Sequence, residues 1–162
     1  MAEIIKVGMA DLNTCEAPDA ITTIGLGSCV GIALYDRFSK KCGLAHIMLP
    51  DSTLISNNTN LAKFADTGIV ELIKRMAAIG ADTNHLVAKI AGGAQMFALT
   101  VSKNTIMSVG ERNVIAVKQK LKELNIPILA SDTGENYGRT IIFYPENGIL
   151  HIKSIGKGEK DI

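Results

Sequence analysis

Short apolar runs punctuated by glycine, proline or asparagine recur along this chain, at residues 3–9, 21–26, 29–36, 43–49, 86–91, 126–130, 139–144 and 149–155. Runs of that length, rich in β-branched residues, predict strands. Two stretches carry a helical period instead. Leu61, Ala65, Ile69, Leu72, Met76 and Ile79 recur in steps of four and three and predict a helix over 61–79. Asn58 to Asn60 are its capping candidates, and Gly80 is its stop. Val114, Val117, Leu121 and Leu124 predict a second helix over 108–124. Residues 10–20, 51–60 and 132–137 are polar and read as loops, while 94–107 fits neither period. Residues 156–162 are glycine and charge, and a mobile tail is expected there.

Many strands and two helices, with hairpin spacing between the runs 29–36 and 43–49, predict an α/β fold of the α+β type. The expected architecture is a layered sandwich, a mixed but largely antiparallel sheet flanked by helices, in one domain spanning 1–162. Composition sharpens this. Apolar residues are 47% of the chain and aromatics only 4%, so the core must be aliphatic. A net charge of +1 supplies no bulk attraction to nucleic acid or to an anionic membrane surface. No apolar run approaches the ~18 residues of a membrane span, so direct membrane insertion is not expected. The first residues lack a signal-peptide layout. Three cysteines (Cys15, Cys29 and Cys42) without CxxC spacing argue against a disulfide framework or a zinc site, and reduced thiols in a cytoplasmic protein are the expectation. No metal cluster and no cofactor motif is visible. Gly25-Leu26-Gly27 has Val30 where a dinucleotide fingerprint needs its third glycine.

Candidate chemistry concentrates at Gly25-Leu26-Gly27-Ser28-Cys29-Val30-Gly31. A glycine-rich bend delivers Cys29 to the start of an apolar run, and His46 stands in the next one. A thiol and an imidazole on neighbouring strands are the minimum for a cysteine nucleophile. Hairpin register decides whether they meet. A two-residue turn at 37–38 places Cys29 directly opposite His46, and a four-residue turn leaves them diagonal on one face. An odd count separates them onto opposite faces unless a bulge restores parity. Backbone amides of Gly27 and Ser28, in the bend, are candidates for holding an oxyanion. Ser28 is also a rival nucleophile, ranked below the more acidic thiol. His85 and His151 read as surface or packing residues.

Six blocks, in order, resemble one family: GLGSCV at 25–30, LAHIMLP at 44–50, KFADTGI at 63–69, KIAGGAQMF at 89–97, GERN at 110–113 and GRTIIFYPENG at 138–148. Together they resemble the chemoreceptor glutamine deamidases of bacterial and archaeal chemotaxis, the CheD family. One departure is local: Gly134-Glu135 stands where the family often has a double glycine. The resemblance implies a protein-glutamine glutaminase that converts receptor glutamines to glutamate through a cysteine thioester. Its cysteine falls on Cys29, its histidine on His46 and its third member, a threonine, on Thr23. It also implies a fold like that of the cytotoxic-necrotizing-factor-like cysteine hydrolases. The implied partners are the cytoplasmic helices of methyl-accepting chemotaxis receptors and a CheC-type response-regulator phosphatase. A non-catalytic adaptor for that phosphatase, and a transglutaminase sharing the thioester, are the alternative readings.

Overall fold

The computed structural model describes residues 2–96 and 108–162. Among them lie β1 (Ile4–Val7), β2 (Asp11–Glu16), β3 (Ala20–Leu26), β4 (Val30–Asp36), β5 (Lys41–Ile47), α1 (Ala65–Ala78), β6 (Val87–Gly92), α2 (Val109–Glu123), β7 (Ile128–Thr133), β8 (Arg139–Tyr144), β9 (Ile149–Ser154) and β10 (Gly158–Asp161). The strands form two five-stranded sheets, β1-β3-β8-β9-β10 and β2-β5-β4-β6-β7. Pairing is parallel between β1 and β3 and between β6 and β7, and antiparallel elsewhere. The mixed, largely antiparallel sheet of the sequence analysis is thus two sheets, in an α+β sandwich. Among the described residues no helix is long and apolar enough to cross a membrane.

Side-chain parity sets the layers. Val30, Ile32 and Leu34 of β4, with Ala45 and Ile47 of β5, pack under the helices. Ala33 of β4, with Cys42 and Leu44 of β5, joins Ile21, Ile141, Phe143 and Ile152 in a second core between the sheets. A strand buried on both faces carries no alternation. That is why 29–36 and 43–49 are continuous apolar runs. The resulting order is outer sheet, central sheet, helices.

Helix α1 buries Ile69, Leu72 and Met76 completely, each contributing about 1.5–3 kcal/mol. Gly43 permits the approach, since a Cβ there would lie 2.6 Å from Leu72 Cδ1. The helix starts later than its periodicity predicts. Met48 and Leu49 amides both donate to the Lys63 carbonyl, and the Ala65 amide donates to Leu49. This tie holds Phe64 extended. Residues 61–63 therefore close as a separate 3₁₀ turn, capped by Asn60.

Two expectations give way to strands. Within the expected loop 10–20, Asp11–Glu16 is β2, an edge strand on β5. It contributes only Leu12 to one core and Cys15 to the other, too sparse a signal to read locally. The expected mobile tail contains β10, antiparallel to β9. Ile162 exchanges backbone hydrogen bonds of 2.9 and 3.0 Å with Leu150, and its carbonyl accepts from Lys89 Nζ at 2.8 Å. Of the unassigned segment 94–107, residues 97–107 lie outside the described residues.

Candidate active site

The β4–β5 hairpin has the four-residue turn. Asp36 pairs with Lys41, and Gly31 stands opposite His46. Asp36 fixes that turn by accepting from the amides of Phe38 and Ser39, the Ser39 hydroxyl and the Asp82 amide. Burial acts to raise its pKa, but those donors outweigh it and hold the carboxyl below its ordinary value. Cys29 lies two residues before Gly31, so it is the diagonal neighbour of His46. Such neighbours are about 7–8 Å apart between Cα atoms, within reach of these side chains. Cys29 packs in the core between the sheets.

His46 is completely buried, and its Nδ1 lies 2.7 Å from Thr23 Oγ1. Thr23 sits on β3 of the outer sheet, immediately before a β-bulge. Thr23 pairs with Ile141, whereas Leu26 pairs one residue out of step with Arg139. Gly25 takes φ +74 inside that bulge, a conformation glycine adopts freely. The Thr23 hydroxyl donates to the Val7 carbonyl at 2.8 Å. A hydroxyl has one proton to give. Thr23 must therefore accept from His46, which assigns the imidazole proton to Nδ1 and leaves Nε2 with its lone pair. That Nε2 is buried and has no hydrogen-bond partner among the described residues. A general base needs such a nitrogen, oriented from behind and free in front.

Burial pushes the His46 imidazole down to about 4. Burial also pushes the Cys29 thiol up from its ordinary 9.0. The Cys29 backbone N–H lies against its own sulfur and opposes this without prevailing. The resting pair is therefore thiol and neutral imidazole. Moving the proton in advance is opposed on both sides, because burial disfavours the thiolate and the imidazolium alike. The arrangement suits proton transfer coupled to attack rather than a standing ion pair.

The Cys29 turn is held on every side. Carbonyls of Gly27, Ser28 and Cys29 accept, respectively, from the Ala94 amide (2.8 Å), Asn113 Nδ2 (2.9 Å) and the Gly93 amide (2.8 Å). Gly92 must be glycine, because a Cβ would fall 2.3 Å from the Cys29 carbonyl oxygen. Met96, partly exposed, lies over Gly27. Asn113 closes the block Gly110-Glu111-Arg112-Asn113, and the sequence alone assigns it no role. Its signal was a polar residue on the face between Gly110 and Val117, where α2 meets the sheet. Of the other expected residues, Ser28 is half-buried beside Cys29, and His85 and His151 are exposed or half-exposed and paired with Asp82 and with Glu159 and Asp161. A cavity of about 340 Å³, lined by Arg37, Lys40 and Lys89 among others, lies at the opposite end of β4 and includes none of these site residues.

The chain matches, over residues 48–154, the family described as CheD chemotactic sensory transduction. It is 64% identical, over all 162 residues and the whole relative, to a protein of Lachnoclostridium phytofermentans named probable chemoreceptor glutamine deamidase CheD. The chain belongs to the CheD family. A Caldanaerobacter subterraneus relative of the same name is 57% identical over 99% of both chains. The chemoreceptor glutamine deamidase CheD of Halalkalibacterium halodurans is 54% identical over the full length of both. The family match begins just after His46, and the full-length relatives extend CheD membership over the Cys29 turn as well.

Proposed function

We propose that this chain deamidates glutamine side chains of chemoreceptors, with Cys29 as nucleophile, His46 as general base and then acid, and Thr23 as the group that orients the imidazole. The names of its full-length relatives support the reaction class. The observation that carries the residue assignment is the buried Nε2 of His46, without a partner among the described residues, whose other nitrogen is tied to Thr23.

The steps balance without a cofactor. The Cys29 sulfur attacks the glutamine side-chain carbonyl as its proton passes to His46 Nε2. The Cys29 N–H, beside the sulfur, donates to the developing oxyanion together with its neighbour at Ser28. The C–N bond breaks, the proton on Nε2 leaves with ammonia, and a thioester remains. Water then loses a proton to Nε2 and hydrolyses the thioester. The proton on Nε2 passes to the departing sulfur, leaving glutamate and the free thiol. Each turnover converts a neutral amide to a carboxylate on the receptor.

Intact-mass measurement of a purified receptor cytoplasmic fragment tests this. Incubation with the wild-type chain should convert glutamine to glutamate, and Cys29→Ala should convert none. Equal conversion by both removes Cys29 from the mechanism. No conversion by either returns the alternative, an adaptor for a CheC-type phosphatase. Amine incorporation in place of hydrolysis identifies a transglutaminase.

A further inference from the structure

We propose that Asn113 is a positioning residue for the deamidation, setting the orientation of the Ser28–Cys29 peptide and thereby aiming the Cys29 N–H at the reacting centre. The inference rests on Cys29 being the nucleophile, as proposed above. Asn113 is completely buried in the first turns of α2. Its Nδ2 donates to two carbonyls at once, Ser28 at 2.9 Å and Met48 at 2.9 Å. One carbonyl belongs to the residue before Cys29, and the other lies two residues after His46. A single amide group therefore joins the turn carrying the thiol to the strand carrying the imidazole. Its Oδ1 has no partner among the described residues, so the contact is carried by the donor end alone.

Peptide geometry turns this contact into a mechanism. In a planar trans peptide, C=O and the following N–H point in opposite directions. Holding the Ser28 carbonyl toward α2 makes the Cys29 N–H point away from α2, on the side of the turn where the thiol residue begins. The adjoining peptide is held similarly, because the Gly27 carbonyl accepts from Ala94. The same helix turn braces the segment supplying that donor: a Cβ on Gly110 would lie 2.4 Å from the Ala94 carbonyl and 2.6 Å from that of Gly93. Without the Asn113 donor, the Ser28–Cys29 peptide loses its anchor to α2, and the direction of the Cys29 N–H is no longer fixed. Substrate binding at the protein surface is not expected to depend on that rotation.

Kinetics of Asn113→Ala and Asn113→Ser on the receptor fragment, with wild type and Cys29→Ala alongside, test the assignment. Alkylation of Cys29 by iodoacetamide is followed across pH by peptide mapping, so that Cys15 and Cys42 do not contribute. For Asn113→Ala, kcat should fall about 10- to 100-fold with KM within about threefold. The alkylation midpoint should move to higher pH, and each folded chain should still offer one alkylatable Cys29. Asn113→Ser keeps one O–H donor and should recover part of both losses. Three results overturn the proposal: unchanged kcat and midpoint in folded Asn113→Ala; a kcat loss that only mirrors the unfolded fraction; or failure of both variants to fold, which leaves Asn113 a structural role alone. Full activity in Cys29→Ala overturns the nucleophile assignment itself, a result distinct from all three.

Discussion

His46 and His151 lie on strands of different sheets, and their surroundings push their pKa values in opposite directions. His46, on β5, is sealed between the sheets with a hydroxyl as its only described partner, and burial pushes its imidazole down to about 4. His151, on β9, holds Glu159 and Asp161 on its two nitrogens, at 2.8 and 2.6 Å, and these raise its pKa. Both of its nitrogens are occupied by carboxylates that favour its charged form, so neither is open to a substrate. His46 has one nitrogen committed to Thr23 and the other without a partner among the described residues. An uncharged partner that fixes the ring without stabilising the imidazolium makes a base. Two carboxylates make an ion pair.

The comparison is broken most severely by removing each ring. His46→Ala should reduce receptor deamidation by at least about 10³-fold, and His151→Ala should leave it within about threefold, as read by product mass over time. Comparable losses in both would erase the distinction.

Stability against pH sharpens it next. The folded His46 refuses a proton that the unfolded chain accepts below about 6.5, so its contribution is lost as pH falls from about 6.5 to about 4 and levels off beneath. The loss is on the order of 3 kcal/mol. Denaturant unfolding should show this slope in wild type and lack it in His46→Gln. His151 has the opposite sign: its raised pKa stabilises below the unfolded value, and the contribution is lost as pH rises through the folded one. In His151→Gln the alkaline change should disappear while the acid slope stays.

Thr23→Val keeps the shape and removes the hydroxyl. His46 Nδ1–H and the Val7 carbonyl would both lose a buried partner, costing about 1–3 kcal/mol of stability. With the tautomer no longer fixed, kcat should fall about 10- to 100-fold in the folded variant, measured on the receptor fragment. The smallest effect is expected from Asp161→Asn. It should lower the His151 titration midpoint seen by NMR, leave that of His46 unmoved and barely change stability, because exposed pairs contribute little.

Much of this organisation was legible in the sequence, and the parts that were not share a cause. The apolar runs at 29–36 and 43–49 displayed the central strands, and hairpin parity made the meeting of Cys29 and His46 depend on an even turn, which residues 37–40 supply. Thr23 came only through family resemblance. A threonine in a β-branched run has no local mark, and its partner is on the other sheet. Asn113 stands out only as a polar residue on the Gly110–Val117 face, and its partners are backbone carbonyls that no side-chain pattern identifies. Strand β10 is Gly-Glu-Lys-Asp, and pairing with β9 alone makes it a strand. The departure at Gly134-Glu135 is informative in another way. Both residues take positive φ, +86 and +63, so this chain places a glutamate in the left-handed conformation that a double glycine adopts without cost.

The most direct test of the account traps the covalent intermediate. The chain is quenched in acid during turnover of the receptor fragment, digested and mapped by mass spectrometry. The prediction is a receptor peptide joined through a thioester to the peptide containing Cys29, absent from Cys29→Ala and accumulating less in His46→Ala. Continued deamidation with Cys29 unmodified throughout, or an adduct on Cys15 or Cys42 instead, would contradict it.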